Sequence, residues 1–294
     1  MPTSRWSSSA LPNTVAAARV SDLHRTAFVT GASTGLGRAF AEMLLADGVR
    51  VWGTARDGAR LAALVTQYGE RFTPVILDLR DGLKAEAEFR AADRSAGGFD
   101  LVINNAGYGV FAEFAATDFA VWAEQLQVML VNTARLAHAA LGGMVERNRG
   151  ALVNISSLAA EFPLPFQSAY NITKAGLSAL NESLMMEVSG TKVVILDVRP
   201  GDYRTDFEGS VRRPPSASVP SPRLARAWTA FGAMMASGPA PAEAAAELRR
   251  ALLRNRSGTV RIGRFFQAVI APFISRFGSL ALKRRIQASY FNVS

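Results

Sequence analysis

Residues 30–37 read Thr-Gly-Ala-Ser-Thr-Gly-Leu-Gly, between a short apolar run at 26–30 and a segment of helical period at 36–47. Glycines in such a turn allow a tight bend and let backbone N–H groups approach a phosphate. The N-terminus of the following helix adds partial positive charge at the same point. A strand before the turn and a helix after it are the context that this interpretation requires. The stretch therefore predicts a pyrophosphate-binding turn.

The rest of the chain continues the alternation of short apolar runs and longer segments of helical period. The predicted strands are Thr26–Thr30, Val49–Thr54, Phe72–Leu77, Asp100–Asn104, Ala151–Ile155, Lys192–Val198 and Thr259–Ile262. Helices are predicted near 36–47, 59–68, 83–94, 118–147, 168–189 and 241–254. Each crossover is long enough for a right-handed βαβ unit. We therefore expect an α/β fold of Rossmann type, a doubly wound parallel seven-stranded sheet with helices on both faces in three α/β/α layers.

The composition is that of a globular chain with a basic balance. The 294 residues are 49% hydrophobic and carry 33 Lys+Arg against 24 Asp+Glu, for a net charge of +9. The basic residues are dispersed along the chain, so we expect no nucleic-acid partner. The chain contains no cysteine, which excludes disulfides, thiolate nucleophiles and cysteine-ligated metals. His24 and His138 are isolated, so we expect no metal site.

Three regions are predicted along the chain: a flexible N-terminal tail at 1–25, a catalytic domain at 26–263 and a C-terminal extension at 264–294. The Ser-, Ala- and Arg-rich tail is typical of either a disordered tail or an organelle transit peptide. Residues 202–222 carry Arg and Pro among small residues and are predicted to form a lid loop over the site. The extension is amphipathic and basic, which fits peripheral membrane contact, or packing over the substrate cleft or at a subunit contact. No stretch of about 20 residues is apolar and uncharged, so we expect a cytoplasmic protein without a spanning helix.

The second predicted strand ends Gly53-Thr54-Ala55-Arg56-Asp57, where folds of this type meet the adenosine ribose. A carboxylate at this place selects a free 2′-hydroxyl, whereas a cation accommodates a 2′-phosphate. Ala55 lacks the carboxylate and Arg56 follows it, so the sequence predicts that NADP(H) is preferred. Asp57, the next residue, is a carboxylate, so the sequence does not exclude NAD(H). After the third strand, Asp78 is placed either to accept a hydrogen bond from the adenine amino group or to cap the following helix.

Further motifs follow in later segments. They are Asn104-Asn105-Ala106-Gly107, Asn154-Ile155-Ser156-Ser157, Tyr170-Asn171-Ile172-Thr173-Lys174, and Pro200-Gly201 with Thr205 behind. With the glycine turn, they resemble the short-chain dehydrogenase/reductase family of the Tyr-x-x-x-Lys type, over about residues 26–205. The resemblance implies hydride transfer with a nicotinamide dinucleotide, and a homodimer or homotetramer formed through the helices at 118–147 and 168–189.

The spacing of Tyr170 and Lys174 predicts that their side chains meet on one face of a helix. A nearby ammonium lowers a phenol pKa from about 10 and allows proton exchange with a substrate oxygen. Ser157 has the spacing from Tyr170 that is seen in the family, and its hydroxyl can hydrogen-bond a carbonyl oxygen as charge develops. Ser156 is the neighbouring candidate. The residues predicted to hold the cofactor are Thr30, Gly31, Ser33, Thr34, Gly35, Leu36, Gly37, Arg56, Asp78, Leu79, Asn105, Ala106, Gly107, Tyr170, Lys174, Pro200, Gly201 and Thr205.

One position departs from the family pattern. The family usually completes its catalytic set with an Asn in the long helix at 118–147, and counting back from Gly150 places that position at Met129. A thioether cannot replace an amide in a water-linked proton relay. Asn132 lies one turn further along the helix, and we expect it to substitute if the helix is shifted.

Aromatic and proline residues suggest an apolar cleft beside these groups. They are Tyr108, Phe111, Phe162, Pro163, Leu164, Pro165, Phe166, Tyr203 and Phe207. The predicted function is NADP(H)-dependent interconversion of a carbonyl and a secondary alcohol on a hydrophobic substrate, with Tyr170 as the general acid/base. The alternative is a cofactor-binding regulator or scaffold with weakened catalysis, for which Met129 is the motivating residue.

Overall fold

The structure is a computed structural model that describes residues 18–214 and 221–293. Within them the strands are β1 Thr26–Val29, β2 Arg50–Ala55, β3 Phe72–Ile76, β4 Leu101–Asn104, β5 Gly109–Val110, β6 Gly150–Ile155, β7 Val193–Pro200, β8 Val211–Arg212 and β9 Gly258–Ile262. Seven of them form one sheet in the order β3-β2-β1-β4-β6-β7-β9, and every pair is parallel. The predicted seven-stranded, doubly wound sheet is therefore confirmed. The order reverses between β1 and β4, which opens a crevice at the carboxyl ends of the strands.

Helices cover both faces of this sheet. They are α1 Gly35–Ala46, α2 Ala62–Tyr68, α3 Gly82–Ala96, α4 Phe119–Leu126, α5 Asn132–Glu146, α6 Ser168–Glu187, α7 Pro222–Ser237, α8 Pro241–Arg254, α9 Ala271–Phe277 and α10 Leu280–Tyr290. The alternation of side chains along β1 shows how the layers form, because neighbouring residues point to opposite faces. Ala27 and Val29 pack with α1 and α8, whereas Phe28 packs with α3 and contacts Phe89 and Phe99. The sheet thus has two separate apolar cores, one on each side.

The long helix predicted at 118–147 is interrupted. A wide turn of π type at Gln127–Val131 separates α4 from α5, and such single turns often mark functional sites. Together, Phe119–Glu146 is long and apolar enough to cross a membrane, but half of its most apolar window is buried inside the protein. It packs against α3, α6 and the sheet as a core helix does, so it is weak evidence for a membrane span.

The predicted boundary of the flexible tail at residue 25 is too late. Residues 1–17 lie outside the described part of the chain, but Val20 is fully buried in the core beside α1 and α8. The backbone N–H of Val20 donates to Asp47, and Arg249 binds both Asp47 and the Ala18 carbonyl. Residues 18–25 therefore belong to the folded domain, because the side chain of Val20 is buried in its apolar core.

The region predicted as a lid loop contains regular structure. Residues 208–210 form a single helical turn, and β8 pairs with β5 beyond the main sheet. Residues 215–220 lie outside the described residues, and α7, which the sequence did not predict, begins at Pro222 within the predicted loop. Ser221 caps α7 by accepting from the Leu224 N–H, and proline at the first helical position is favourable there.

The C-terminal extension is helical through α9 and α10 and returns to the domain. Phe291 and Val293 are buried against Phe231 and its neighbours on α7. Arg223 donates to the Val293 carbonyl at 2.6 Å, which holds the end of the chain beside α7. These helices lie over the carboxyl ends of β6 and β7, so the extension packs over the cavity, as one of the predicted alternatives states.

Candidate active site

One cavity of about 610 Å³ lies at the carboxyl ends of the sheet strands, at the crevice where the strand order reverses. Its wall contains every predicted site residue except Thr30, Gly37 and Asn132. The residues brought together are Gly31, Ser33, Thr34, Gly35, Leu36, Arg56, Asp78, Leu79, Asn105, Ala106, Gly107, Ser157, Tyr170, Lys174, Pro200, Gly201 and Thr205. Residues from seven separate segments of the chain therefore meet in one site.

The glycine turn has the backbone shape that a phosphate cradle requires. Gly31 and Gly35 have φ angles of 69° and 57°, which side-chain-bearing residues rarely adopt. A side chain on Gly37 would collide with the Gly31 carbonyl and the Asn105 amide, so the turn and α1 pack closely. Thr30 lies behind the wall, where its hydroxyl accepts the N–H groups of Asn105 and Ala106. Thr30 and Gly37 thus shape the turn from behind, and the start of α1 faces the cavity.

Arginines line the end of the cavity formed by the loops after β2 and β3, which we call the far end. Arg56, after β2, is joined there by Arg60 and by Arg80, after β3; sequence reasoning missed Arg60 and Arg80. Arg80 forms an ion pair with Asp78 at 2.6 Å, and that hydrogen bond lowers the pKa of the Asp78 carboxyl. Asp78 therefore orients Arg80 in addition to facing the cavity. The missed signal was the presence of arginines in both of the loops that follow β2 and β3.

The three candidate catalytic side chains meet at the near end of the cavity. Tyr170 and Lys174 lie one turn apart on α6, with the Lys174 nitrogen 5.5 Å from the centre of the Tyr170 ring. Lys174 donates to the carbonyl of Ile155 at 2.7 Å, which ties α6 to the end of β6. The Ser157 hydroxyl is hydrogen-bonded to Tyr170. Ser156, the competing candidate, instead donates its hydroxyl to Asp197 at 2.5 Å, so its oxygen points away from the reacting position.

The protonation of Tyr170 differs from the sequence prediction. Burial raises the pKa of Tyr170 to about 12, with the Ser157 hydrogen bond acting in the opposite direction and the nearby Asp202 carboxylate adding to the increase. The expected lowering by Lys174 is absent because the ammonium is directed at the Ile155 carbonyl. The phenol is therefore protonated at neutral pH.

Lys174 is almost completely buried, at 6% exposure. Burial lowers its pKa from 10.5 to about 8, and the Asp197 carboxylate partly offsets this effect. Asp197 is itself fully buried and accepts from Ser156, Ser178 and Arg199. A buried carboxylate thus lies behind the site and favours the charged form of the lysine.

Asn132 does not reach the catalytic groups. Its amide donates to the Leu79 carbonyl at 2.7 Å and accepts from Gln127 at 3.0 Å, which directs it to the end of β3. The expectation that Asn132 replaces the missing relay amide is therefore not supported by this geometry. Met129 lies in the wide turn, and its sulfur accepts the N–H of Tyr108 at 3.4 Å. The residue at the relay position is therefore a buried thioether, which also accepts from the Gln125 amide at 3.6 Å.

The C-terminal extension contributes polar groups that sequence reasoning missed. Tyr290 donates to the Asp202 carboxylate at 2.6 Å, and Gln267 donates to the same oxygen at 2.5 Å. The Gln287 amide donates to the Pro163 carbonyl at 2.7 Å, on the loop between Ser157 and Tyr170. These hydrogen bonds hold α10 in place over the cavity. No local motif could reveal them, because their partners are 65 to 124 residues apart in sequence.

The rest of the near end of the cavity, around Tyr170, is apolar. Its lining side chains include Leu158, Phe162, Leu164, Phe207, Phe231, Met235, Phe266, Ile286 and Phe291. Phe207 lies 6.0 Å from Tyr170, measured between ring centres, so the reacting position is bounded by an aromatic wall. Phe111 is buried among α7 residues behind the cavity instead of lining it.

A glycine turn that shares one cavity with Ser157, Tyr170 and Lys174 is the arrangement of a nucleotide-dependent oxidoreductase. A family model described as short chain dehydrogenase matches residues 25–216. The chain is 33% identical over 180 residues to a probable NADP-dependent dehydrogenase of Haemophilus influenzae, covering 60% of this chain and 70% of the relative. It is 30% identical over 204 residues to 3-oxoacyl-acyl-carrier-protein reductase FabG of Vibrio harveyi, covering 68% and 84%.

The fold comparison agrees with the sequence comparison. A short-chain dehydrogenase from Streptomyces avermitilis superposes with a TM-score of 0.78 at 30% identity, over 93% of this chain and 98% of that chain. The chain belongs to the short-chain dehydrogenase/reductase family. It is an NAD(P)-dependent oxidoreductase of that family.

Proposed function

We propose that this oxidoreductase uses NADP(H) to interconvert a hydrophobic carbonyl compound and its secondary alcohol, with Tyr170 as the general acid/base. The observation that carries the proposal is that Ser157, Tyr170 and Lys174 share one cavity with the glycine turn. The turn fits a pyrophosphate, because its positive φ angles and the start of α1 direct backbone N–H groups into the cavity. When bound, a reduced nicotinamide supplies the hydride.

Each of the three side chains has a separate task in the reducing direction. Ser157 donates a hydrogen bond to the substrate oxygen and holds it beside the phenol as negative charge develops. Tyr170 donates its proton to that oxygen, and a pKa of about 12 keeps the phenol protonated at neutral pH until the reaction. Lys174 is held by the Ile155 carbonyl at a position where its ammonium can bind ribose hydroxyls.

The preference for NADP(H) is proposed from the arginines at the far end of the cavity. Arg56, Arg60 and Arg80 line this end, and a guanidinium binds a phosphate through paired charge-assisted hydrogen bonds. The NADP-dependent name of the Haemophilus relative supports the same choice. NAD(H) remains the second cofactor to test, because a carboxylate, Asp57, directly follows Arg56. This carboxylate accepts a hydrogen bond from the Ala59 N–H.

Assembly and location are also proposed. The long helices expose Phe119, Val131, Val145, Ile172 and Met186, which supports a homodimer or homotetramer formed through α4, α5 and α6. We propose a cytoplasmic location, with peripheral membrane contact through residues 264–294. Light scattering coupled to gel filtration tests the assembly; a monomer at all concentrations would contradict it.

The second candidate function is a cofactor-binding regulator or scaffold, and Met129 favours it. A thioether that accepts from the Tyr108 N–H has no amide to pass a proton toward Lys174. A protein of this kind would bind the dinucleotide tightly and turn over slowly or not at all.

One titration and one assay separate these functions. NADPH and NADH are titrated by intrinsic fluorescence, and turnover is then measured on aliphatic, aromatic and steroid-like ketones. We expect tighter binding of NADPH, turnover that disappears in Tyr170→Phe, and normal turnover in Tyr68→Phe, whose ring packs beside α1. Arg56→Ala is expected to weaken NADPH binding at least about tenfold and leave NADH unchanged, because one charge-assisted bond is lost.

Equal loss for both cofactors in Arg56→Ala, or no preference in the wild type, would refute the NADP(H) assignment; exposed Arg94→Ala is the matched control. Tight binding without turnover on any ketone or alcohol would establish the regulator. Turnover retained in Tyr170→Phe would overturn the catalytic assignment.

A further inference from the structure

The outer surface of the C-terminal extension is apolar to an unusual degree. Exposed fractions are 71% for Phe265, 52% for Val269 and 65% for Phe273. These residues recur every four positions and lie on one side of the helical segment, whereas Gln267 and Ala271 line the cavity on the other. Leu280 and Leu282, at the start of α10, are also exposed. We call the surface formed by Phe265, Val269 and Phe273 the outer face.

Every charged residue of the segment that carries the outer face is basic. Residues 263–294 contain no Asp or Glu, and their basic residues are Arg264, Arg276, Lys283, Arg284 and Arg285. Arg264, Arg284 and Arg285 are exposed, and Lys283 lies 4.9 Å from the ring centre of Phe162 at the rim of the cavity. Exposed aromatic rings beside cations are typical of a helix that lies in a membrane interface.

We propose that the outer face binds an anionic membrane surface, with α9 and α10 lying between the bilayer and the cavity. Cations next to an exposed apolar face match a negatively charged leaflet, where each basic residue contributes about 1 kcal/mol of attraction. A second copy of this chain fits the surface poorly, because a twofold contact would place the same basic patch against itself. The charge therefore selects a lipid surface over a second copy.

A consequence for substrate entry follows and rests on the proposed function. The same helices present Gln267, Ile286 and Gln287 to the cavity. An apolar ketone dissolved in the bilayer would then enter directly beneath α10, without crossing water. This arrangement predicts a difference between membrane-dissolved and water-soluble substrates.

The test uses the full-length protein and vesicles of phosphatidylcholine with and without phosphatidylglycerol. Point variants replace truncation, because removing residues 264–294 would also remove Phe291 and Val293 from the packing of α7. We expect co-sedimentation with the anionic vesicles only, decreasing with salt. Arg284→Glu/Arg285→Glu is expected to reduce the partition coefficient at least about tenfold.

Matched controls place the same changes elsewhere. Lys192→Glu/Arg256→Glu reverses the same number of exposed charges, next to the starts of β7 and β9 at the opposite edge of the sheet. Phe273→Ser is compared with Leu83→Ser, which replaces an apolar side chain of similar exposure on α3. We expect binding to fall about tenfold in Phe273→Ser and to stay unchanged in Leu83→Ser.

Three results would overturn the proposal: equal sedimentation with neutral and anionic vesicles, equal loss in test and control variants, or a change of oligomeric state by light scattering in the outer-face variants alone. The substrate consequence is read separately. The KM for a vesicle-dissolved ketone should rise in Arg284→Glu/Arg285→Glu, while the KM for a water-soluble ketone stays constant; an equal change in both would refute it. If the wild type reduces neither ketone, the proposed function fails, and the sedimentation results still decide whether the outer face binds lipid.

Discussion

Lys174→Met is expected to make the protein inactive and, at neutral pH, more stable. Lys174 is 6% exposed, and burial lowers its pKa from 10.5 to about 8. Near pH 7 the fold therefore holds a charged side chain that would be better solvated in the unfolded chain. Methionine has a similar length and no charge, so it removes this cost and fills the same space.

The magnitude follows from the shift in pKa. One pH unit corresponds to about 1.4 kcal/mol, so the buried ammonium destabilises the fold by about 3 kcal/mol near pH 7. Loss of the hydrogen bond to the Ile155 carbonyl offsets about 1 kcal/mol of the gain. The unfolded chain binds more protons than the folded chain between pH 8 and 10.5, so wild-type stability rises with pH across this window. The cost in the wild type is then only about 1 kcal/mol near pH 9.5.

The assay is urea unfolding of the wild type and Lys174→Met near pH 7 and near pH 9.5. The variant is expected to be more stable by about 2 kcal/mol at the lower pH and equal to the wild type at the higher pH. Lys192→Met, at an exposed lysine, is the control, and its stability should change by less than about 0.5 kcal/mol at both pH values. A stability difference between Lys174→Met and wild type that does not shrink as pH rises would refute the reasoning.

Further expectations concern the turn, the relay, the extension and the pH profile. Gly37→Ala should weaken dinucleotide binding at least about tenfold in a fluorescence titration, because its Cβ meets the opposite side of the turn. Met129→Asn should raise kcat in steady-state assays and lower the unfolding free energy by about 1–2 kcal/mol, because it adds a buried amide; an unchanged kcat would count against a relay through this position. Tyr290→Phe should raise KM for bulky ketones and speed hydrogen exchange in residues 280–293, since it removes the bond that closes α10. Carbonyl reduction should decline above about pH 8 as Lys174 loses its proton, while Tyr170 stays protonated to a pKa of about 12; a rate that rises with pH would contradict this assignment.

The sheet could be predicted because its inner strands are buried on both faces and form short continuous apolar runs. The ends of the predicted and observed strands differ by at most two residues, as for Phe72–Leu77 against Phe72–Ile76. The sequence did not predict α7, because its start at Pro222 continues a Ser- and Pro-rich stretch that resembles a loop. The interruption at Gln127–Val131 was also missed, since apolar periodicity continues through a single wide turn.

Spacing in sequence indicated which candidate catalytic residues are neighbours but not how burial and nearby charges shift their pKa values. Tyr170 and Lys174 meet on α6 as their four-residue spacing predicts. The reversed pKa shift of Tyr170 depends on burial, on the Ile155 carbonyl that holds the ammonium, and on Asp202. These are long-range contacts of the folded chain, and a local pattern carries no information about them.

The residues proposed to carry out the reaction and much of the wall around the substrate lie in different parts of the chain. The family model matches residues 25–216, which hold the glycine turn and the Ser157, Tyr170 and Lys174 group. Residues 222–293 supply Phe231, Tyr290 and much of the remaining wall around the reacting position. Because Tyr290 donates to Asp202, and Asp202 in turn raises the pKa of Tyr170, the extension affects the proposed acid as well as the proposed substrate pocket. Exchange of α10 between relatives of this family should therefore alter substrate choice and the pH dependence of the reaction together.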